Sequence, residues 1–105
     1  MKTLIISQNG TKAVKLLCNI LVAYCEYTFI SGSASLADPE IKDRRSIIGE
    51  LGTVSRILID IKDGANIRIP SYIVPKILSF MGWNKMYDPE AALILTNLYI
   101  MYADE

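Results

Sequence analysis

The chain has 105 residues, 51% of them apolar and 21% charged, with eleven basic and eleven acidic side chains and no histidine. That length supports one domain, residues 1–105, able to bury about two-thirds of its unfolded surface, and the apolar content excludes disorder. Balanced charge removes the field that steers proteins to nucleic acid or an anionic membrane, and the missing imidazole removes every Ser-His and Cys-His nucleophile.

Metal and phosphate chemistry are equally poorly served. Two cysteines without imidazole do not make a structural zinc centre, no D-x-D-x-D-G calcium loop is present, and "GELG" lacks the spacing and the Lys-Ser/Thr of a P-loop. No cofactor and no metal are expected, and an enzyme is not. Cys18 and Cys25, seven positions apart, fall on opposite faces of a strand with Cα atoms roughly 20 Å apart, so they read as reduced, buried thiols. The opening run "TLII" is too short for a signal-peptide core. Neither "ILVAYC" nor "AALILTNLYIMYA" reaches the ~18 residues of a membrane span. A cytoplasmic protein is the expectation.

"KTLIISQNGTKAVKLL" reads as a hairpin around Asn9-Gly10, the pair that suits a type I′ turn, with Leu4 and Ile6 on one face answered by Val14 and Leu16. "NILVAYCEYTFI", Asn19 to Ile30, is rich in β-branched and aromatic residues, and its alternate set Leu21, Ala23, Cys25, Tyr27 and Phe29 is wholly apolar. It reads as a third strand. "SGSAS" (Ser31 to Ser35) breaks that pattern, and Asp38-Pro39-Glu40 has the chemistry of a turn or helix start. Six formal charges lie between Asp38 and Arg45. Arg44 and Arg45 there are candidates for binding phosphate or carboxylate, against the simpler reading of a solvated connector. Arg56 and Arg68 join them only if the fold brings those segments to one edge.

"SIIGELG" predicts a short strand, with Gly49 and Gly52 as a bulge or the end of pairing. Thr53 to Gly64 is open. As a helix it has Thr53 as N-cap, Val54, Ile57, Leu58 and Ile61 as its buried stripe and Gly64 just past its end, and these signals favour it. As a hairpin, Ile57, Ile59 and Ile61 alternate into Asp63-Gly64, and Ile67 and Ile69 alternate away. "SYIVPKILSFMGW" predicts a short helix with Pro75 in its first turn, Ile73, Ile77, Leu78 and Met81 inward and Gly82 as its stop. Asp88, Pro89 and Glu90 form a helix start, and the helix is expected to loosen near Tyr99.

Of the carboxylates, Glu26 reads as marking a solvent face and Glu50 as a strand-end group near backbone donors. The six tyrosines and Trp83 offer large rigid contact area with a polar tip. "FMGWNKMY" gathers Met81, Trp83, Met86 and Tyr87 in a short segment, the preferred partner-binding patch, with Arg44 and Arg45 as its polar rim.

Gly49, Glu50, Thr53 and Arg56 match a "G-E-x-x-T-x-x-R" helix start. With the preceding β-rich segments, the chain resembles a broad group of small uncharacterised proteins from phages and mobile elements of Gram-positive bacteria, in which a β-meander leads into this start. The resemblance implies no established activity and raises an accessory or anti-defence role, including inhibition of CRISPR machinery.

The expected fold is α+β, an antiparallel sheet of four or more strands from the N-terminal half covered by two or three helices from the C-terminal half. The expected function is that of a non-enzymatic binding protein that masks a protein partner or self-associates as a dimer, because so small a body cannot hide this much apolar surface. The alternative is a small-molecule or nucleotide-binding domain using an arginine-led pocket with the Tyr24/Glu26 face.

Overall fold

The computed structural model describes residues 2–86 and 88–103. In chain order it has strand β1 (Thr3–Ile6), helices α1 (Lys12–Ala37) and α2 (Arg44–Asp63), strand β2 (Ile67–Pro70), a single 3₁₀ turn (Ser71–Ile73), and helices α3 (Val74–Trp83) and α4 (Pro89–Ala103). The fold is α+β, but its sheet is one antiparallel pair, Leu4 opposite Ile69 and Ile6 opposite Ile67. The expected sheet of four or more strands from the N-terminal half is not formed, since residues 12–63 are mainly helical.

Leu4 and Ile6 do share the buried face of β1, but β2 answers them instead of Val14 and Leu16. Asn9-Gly10 starts a helix instead of turning a hairpin. Gly10 adopts φ 77°, Asn9 Oδ1 accepts the Thr11 N–H at 3.2 Å, and Thr11 Oγ1 accepts the Val14 N–H at 3.3 Å. That is an N-cap. The expected strand over Asn19–Ile30 and the break at Ser31–Ser35 both lie inside α1. The physical reason is that almost every residue there is apolar, so a period of two and a helical period fit equally well. The observed buried set, Val14, Leu17, Ile20, Leu21, Tyr24 and Cys25, recurs at intervals of three and four residues along one side of the helix, as a helix requires. Cys18 and Cys25 thus lie two turns apart on the helix, not on opposed strand faces, and remain free thiols.

α1 takes "ILVAYC", too short for a membrane span by itself, into one 26-residue helix, long and apolar enough to cross one by length and composition. A third of its most apolar window is buried by the rest of the chain.

α2 corrects two further expectations. Ser46–Leu51 is helical, not a strand, and Thr53 is an interior residue, because the helix begins at Arg44. Its end is as read: Gly64, at φ 69°, donates its N–H to the carbonyls of Asp60 and Ile61. Val54 and Ile57 are buried as expected, and so is Asp60, which the apolar pattern passed over. Asp60 is 3% exposed. Its carboxylate accepts Arg68 Nη2 at 2.8 Å, Nε at 3.1 Å and the Arg68 backbone N–H at 3.1 Å. Gln8 Nε2 donates to the carbonyls of Asp60 and Ala65 at 2.9 and 2.6 Å. The β1–α1 connection, the end of α2 and the start of β2 are thereby tied at one corner.

Pro75 sits in the first turn of α3, and Ile73, Ile77 and Met81 are buried. Gly82 does not stop the helix. The chain leaves it at Asn84, Lys85 takes the left-handed φ of 54°, and the Met86 N–H returns to the Met81 carbonyl at 2.9 Å. Asp88 Oδ2 accepts the Ala91 N–H at 2.8 Å, the expected cap of α4. That helix runs on to Ala103 without loosening at Tyr99. One apolar cluster, including Leu4, Leu17, Ile57, Ile69, Met81 and Leu95, spans every element.

Hydrogen bonds from the Arg68 side chain hold the Asp60 carboxyl below its ordinary value of 3.8. Its stabilisation is therefore present above that value and is lost as pH falls through the folded one. Asp60→Ala is expected to cost about 1–3 kcal/mol in urea unfolding at pH 7. Asp60→Asn should flatten the acid limb of the stability curve, and an unchanged limb would show that Asp60 contributes nothing to acid sensitivity.

Candidate functional site

Three helices leave a groove of about 690 Å³ between them, within the size range of ligand pockets. α1 supplies Tyr24, Tyr27 and Thr28, α2 supplies Ile47, Glu50 and Leu51, and α3 supplies Lys76, Phe80 and Trp83. Helical spacing explains the α3 side, since Lys76, Phe80 and Trp83 recur at intervals of four and three.

The aromatic wall is ordered by edge and tilt. The Phe80 ring lies 5.6 Å from Tyr24 at 71° and 5.4 Å from Tyr27 at 39°, arrangements that aromatic quadrupoles favour. Trp83, on the same groove, is 89% exposed. At the polar end, Glu50 accepts Tyr24 Oη at 3.3 Å and Lys76 Nζ at 3.1 Å. Burial, then the Glu50 charge, pushes the Tyr24 hydroxyl well above its ordinary value, so it stays a proton donor. Glu50 is thus a bridge across the groove and not the strand-end group the sequence suggested.

α1 and α2 approach closely beside it. A Cβ on Gly32 would stand 2.8 Å from Leu51 Cδ2, so the glycine leaves room for Leu51 against α1.

The proposed partner-binding patch is divided. Trp83 is at the surface and Met86 is partly buried against the core, whereas Met81 is fully buried and unavailable to a partner. On α3, residues two apart point in roughly opposite directions, about 200° around the helix, which separates Met81 from Trp83. Tyr87 lies outside the described residues. Arg44 closes the turn after α1, donating to the Leu36 carbonyl at 3.0 Å and the Asp38 carbonyl at 3.2 Å. Arg45 is exposed, and neither arginine lines the groove. Glu26 is exposed, as expected. Tyr24, Phe80 and Lys76 were missed as a group, because their convergence needs α1 to be a helix.

No family model, curated protein or solved structure matches the chain.

Burial pushes the Cys25 thiol up to about 12 and also raises Cys18, which removes thiolate and hence reactivity. At pH 8 a thiol reagent should modify Cys25 only at the rate of unfolding, and rapid labelling in native buffer would contradict this packing. Glu50→Gln should cost under about 1 kcal/mol in chemical unfolding, because Lys76 is half exposed.

Proposed function

We propose that the chain is a non-enzymatic, cytoplasmic binding protein whose aromatic groove receives a segment of a protein partner, first of all a second copy of itself. The observation that carries this reading is Trp83, 89% exposed on a groove already walled by Tyr24, Tyr27 and Phe80. An indole left in water beside a concave aromatic surface gains by being covered, at about 25 cal/mol per Å² of apolar area, and Trp and Tyr dominate interface energetics.

Further support comes from the distribution of apolar surface. Tyr27 and Ile30 on α1, Leu93, Ile100 and Met101 on α4, and Trp83 are all exposed large apolar residues, of which Tyr27 and Trp83 line the groove. A cytoplasmic setting is supported by the six α1 residues that pack into the core. The high, buried Cys25 thiol supports a role without nucleophilic chemistry. Masking of a partner's surface, as in accessory and anti-defence proteins, is the role that the Gly49–Arg56 resemblance favours.

Trp83 is the chain's single tryptophan, so its fluorescence reports on the groove directly. Emission is expected to move from a solvated to a shielded indole over the concentration range in which light scattering passes from one chain to two. Trp83→Ala should weaken that association by about 2 kcal/mol or more while leaving the thermal midpoint of the monomer unchanged. A monomer at millimolar concentration with invariant emission would eliminate the second copy as occupant.

A further inference from the structure

A second concavity, of about 390 Å³, lies between α2 and the end of the two-stranded sheet, lined by Gly49, Gly52, Thr53 and Arg56 from α2 and by Thr3 and Arg68 from the strands. The geometry points to a binding site here for the phosphate group of a small organic phosphate monoester.

Charge is the first argument. Two arginines line one small cavity, and Asp60 is ion-paired with Arg68 while it attracts Arg56 only through space. Arg56 makes no hydrogen bond or ion pair among the described residues. Arg68 spends Nε and Nη2 on Asp60, which fixes its orientation and leaves Nη1 and the second Nη2 proton for a ligand. Paired guanidinium forks match the several equivalent oxygens of a phosphate, and charge-assisted bonds of this kind are the strong ones. The Thr3 hydroxyl adds a donor, whereas Thr53 has its proton on the Gly49 carbonyl at 3.1 Å.

Shape is the second argument. Glycine inside a helix costs roughly 0.5–1 kcal/mol relative to alanine, and packing repays that at Gly32 but not here. A Cβ on Gly49 or Gly52 would meet nothing within 4 Å. The two glycines, three positions apart on α2, leave an open floor beside the arginines on which the organic part of the ligand can lie. The volume exceeds what bare phosphate needs, so the ester and not the free ion is the assigned ligand.

Isotope-labelled full-length protein titrated with phenyl phosphate, inorganic phosphate and benzoate at constant ionic strength tests the assignment. Phenyl phosphate should give saturable shifts at Gly49, Gly52, Thr53 and the Nε–H groups of Arg56 and Arg68, leaving the Trp83 indole N–H unmoved. It should bind more tightly than either of the other two. Arg56→Ala should weaken it about ten-fold or more without lowering the thermal midpoint. Gly52→Ala, which has open space for its methyl, should remain folded and also weaken binding. Equal affinity for benzoate, equal affinity for inorganic phosphate, shifts spread over all basic residues, or wild-type affinity in Arg56→Ala would each overturn the proposal.

Discussion

Asp60 takes a carboxylate where 3% of its surface meets water, and Arg68 answers it with a side-chain fork and a backbone N–H. An unpaired charge in that position would be costly, because burial strips its hydration without replacing it. The pairing therefore forces the last turns of α2 and the first residues of β2 together. Two strands of four residues do not hold each other in water. β1 and β2 persist because this corner, with the Gln8 amide clasped to the same helix end, presents Leu4, Ile6, Ile67 and Ile69 to the helices as one apolar face. The same bond aims Arg68 at the cavity beside Gly49 and Gly52.

α2 consequently serves two surfaces. Its Ile47, Glu50 and Leu51 face the aromatic groove, while Gly49, Gly52, Thr53 and Arg56 face the sheet end. Neighbouring residues diverge because each step along the helix turns the side chain by about 100°. A motif contiguous in sequence, "GELGTVSR", is thus shared between the aromatic groove and the cavity lined by Arg56 and Arg68.

Legibility in the sequence followed the range of the signal. Asp88 before Pro89, Gly64 after Asp63, Pro75 in a first turn and the alternation of Leu4 with Ile6 all declare themselves through their own backbone, and each stands where local chemistry puts it. Ile20 to Ile30 was illegible because all its residues but Glu26 and Thr28 are apolar, which erases the periodicity that separates strand from helix. β-Propensity then favoured the wrong element, as it does when the real determinant is burial. The segment "FMGWNKMY" misled differently. Four large side chains adjacent in sequence looked like one patch, and the turn of α3 sends Met81 inward and Trp83 outward.

The sequence by itself determined the end of α2 at Gly64, the start of α4 at Asp88, the buried face of β1 and the absence of histidine. Only the tertiary structure decided that β1 pairs with β2 from the far side of two helices, that Glu50 bridges Tyr24 and Lys76, and that Arg56 and Arg68 share a cavity while Arg44 caps a helix. The difference is physical. Caps and alternation are energies between residues a few positions apart, whereas pairing and convergence depend on which distant surfaces exclude water together, and that is settled by packing the whole chain at once.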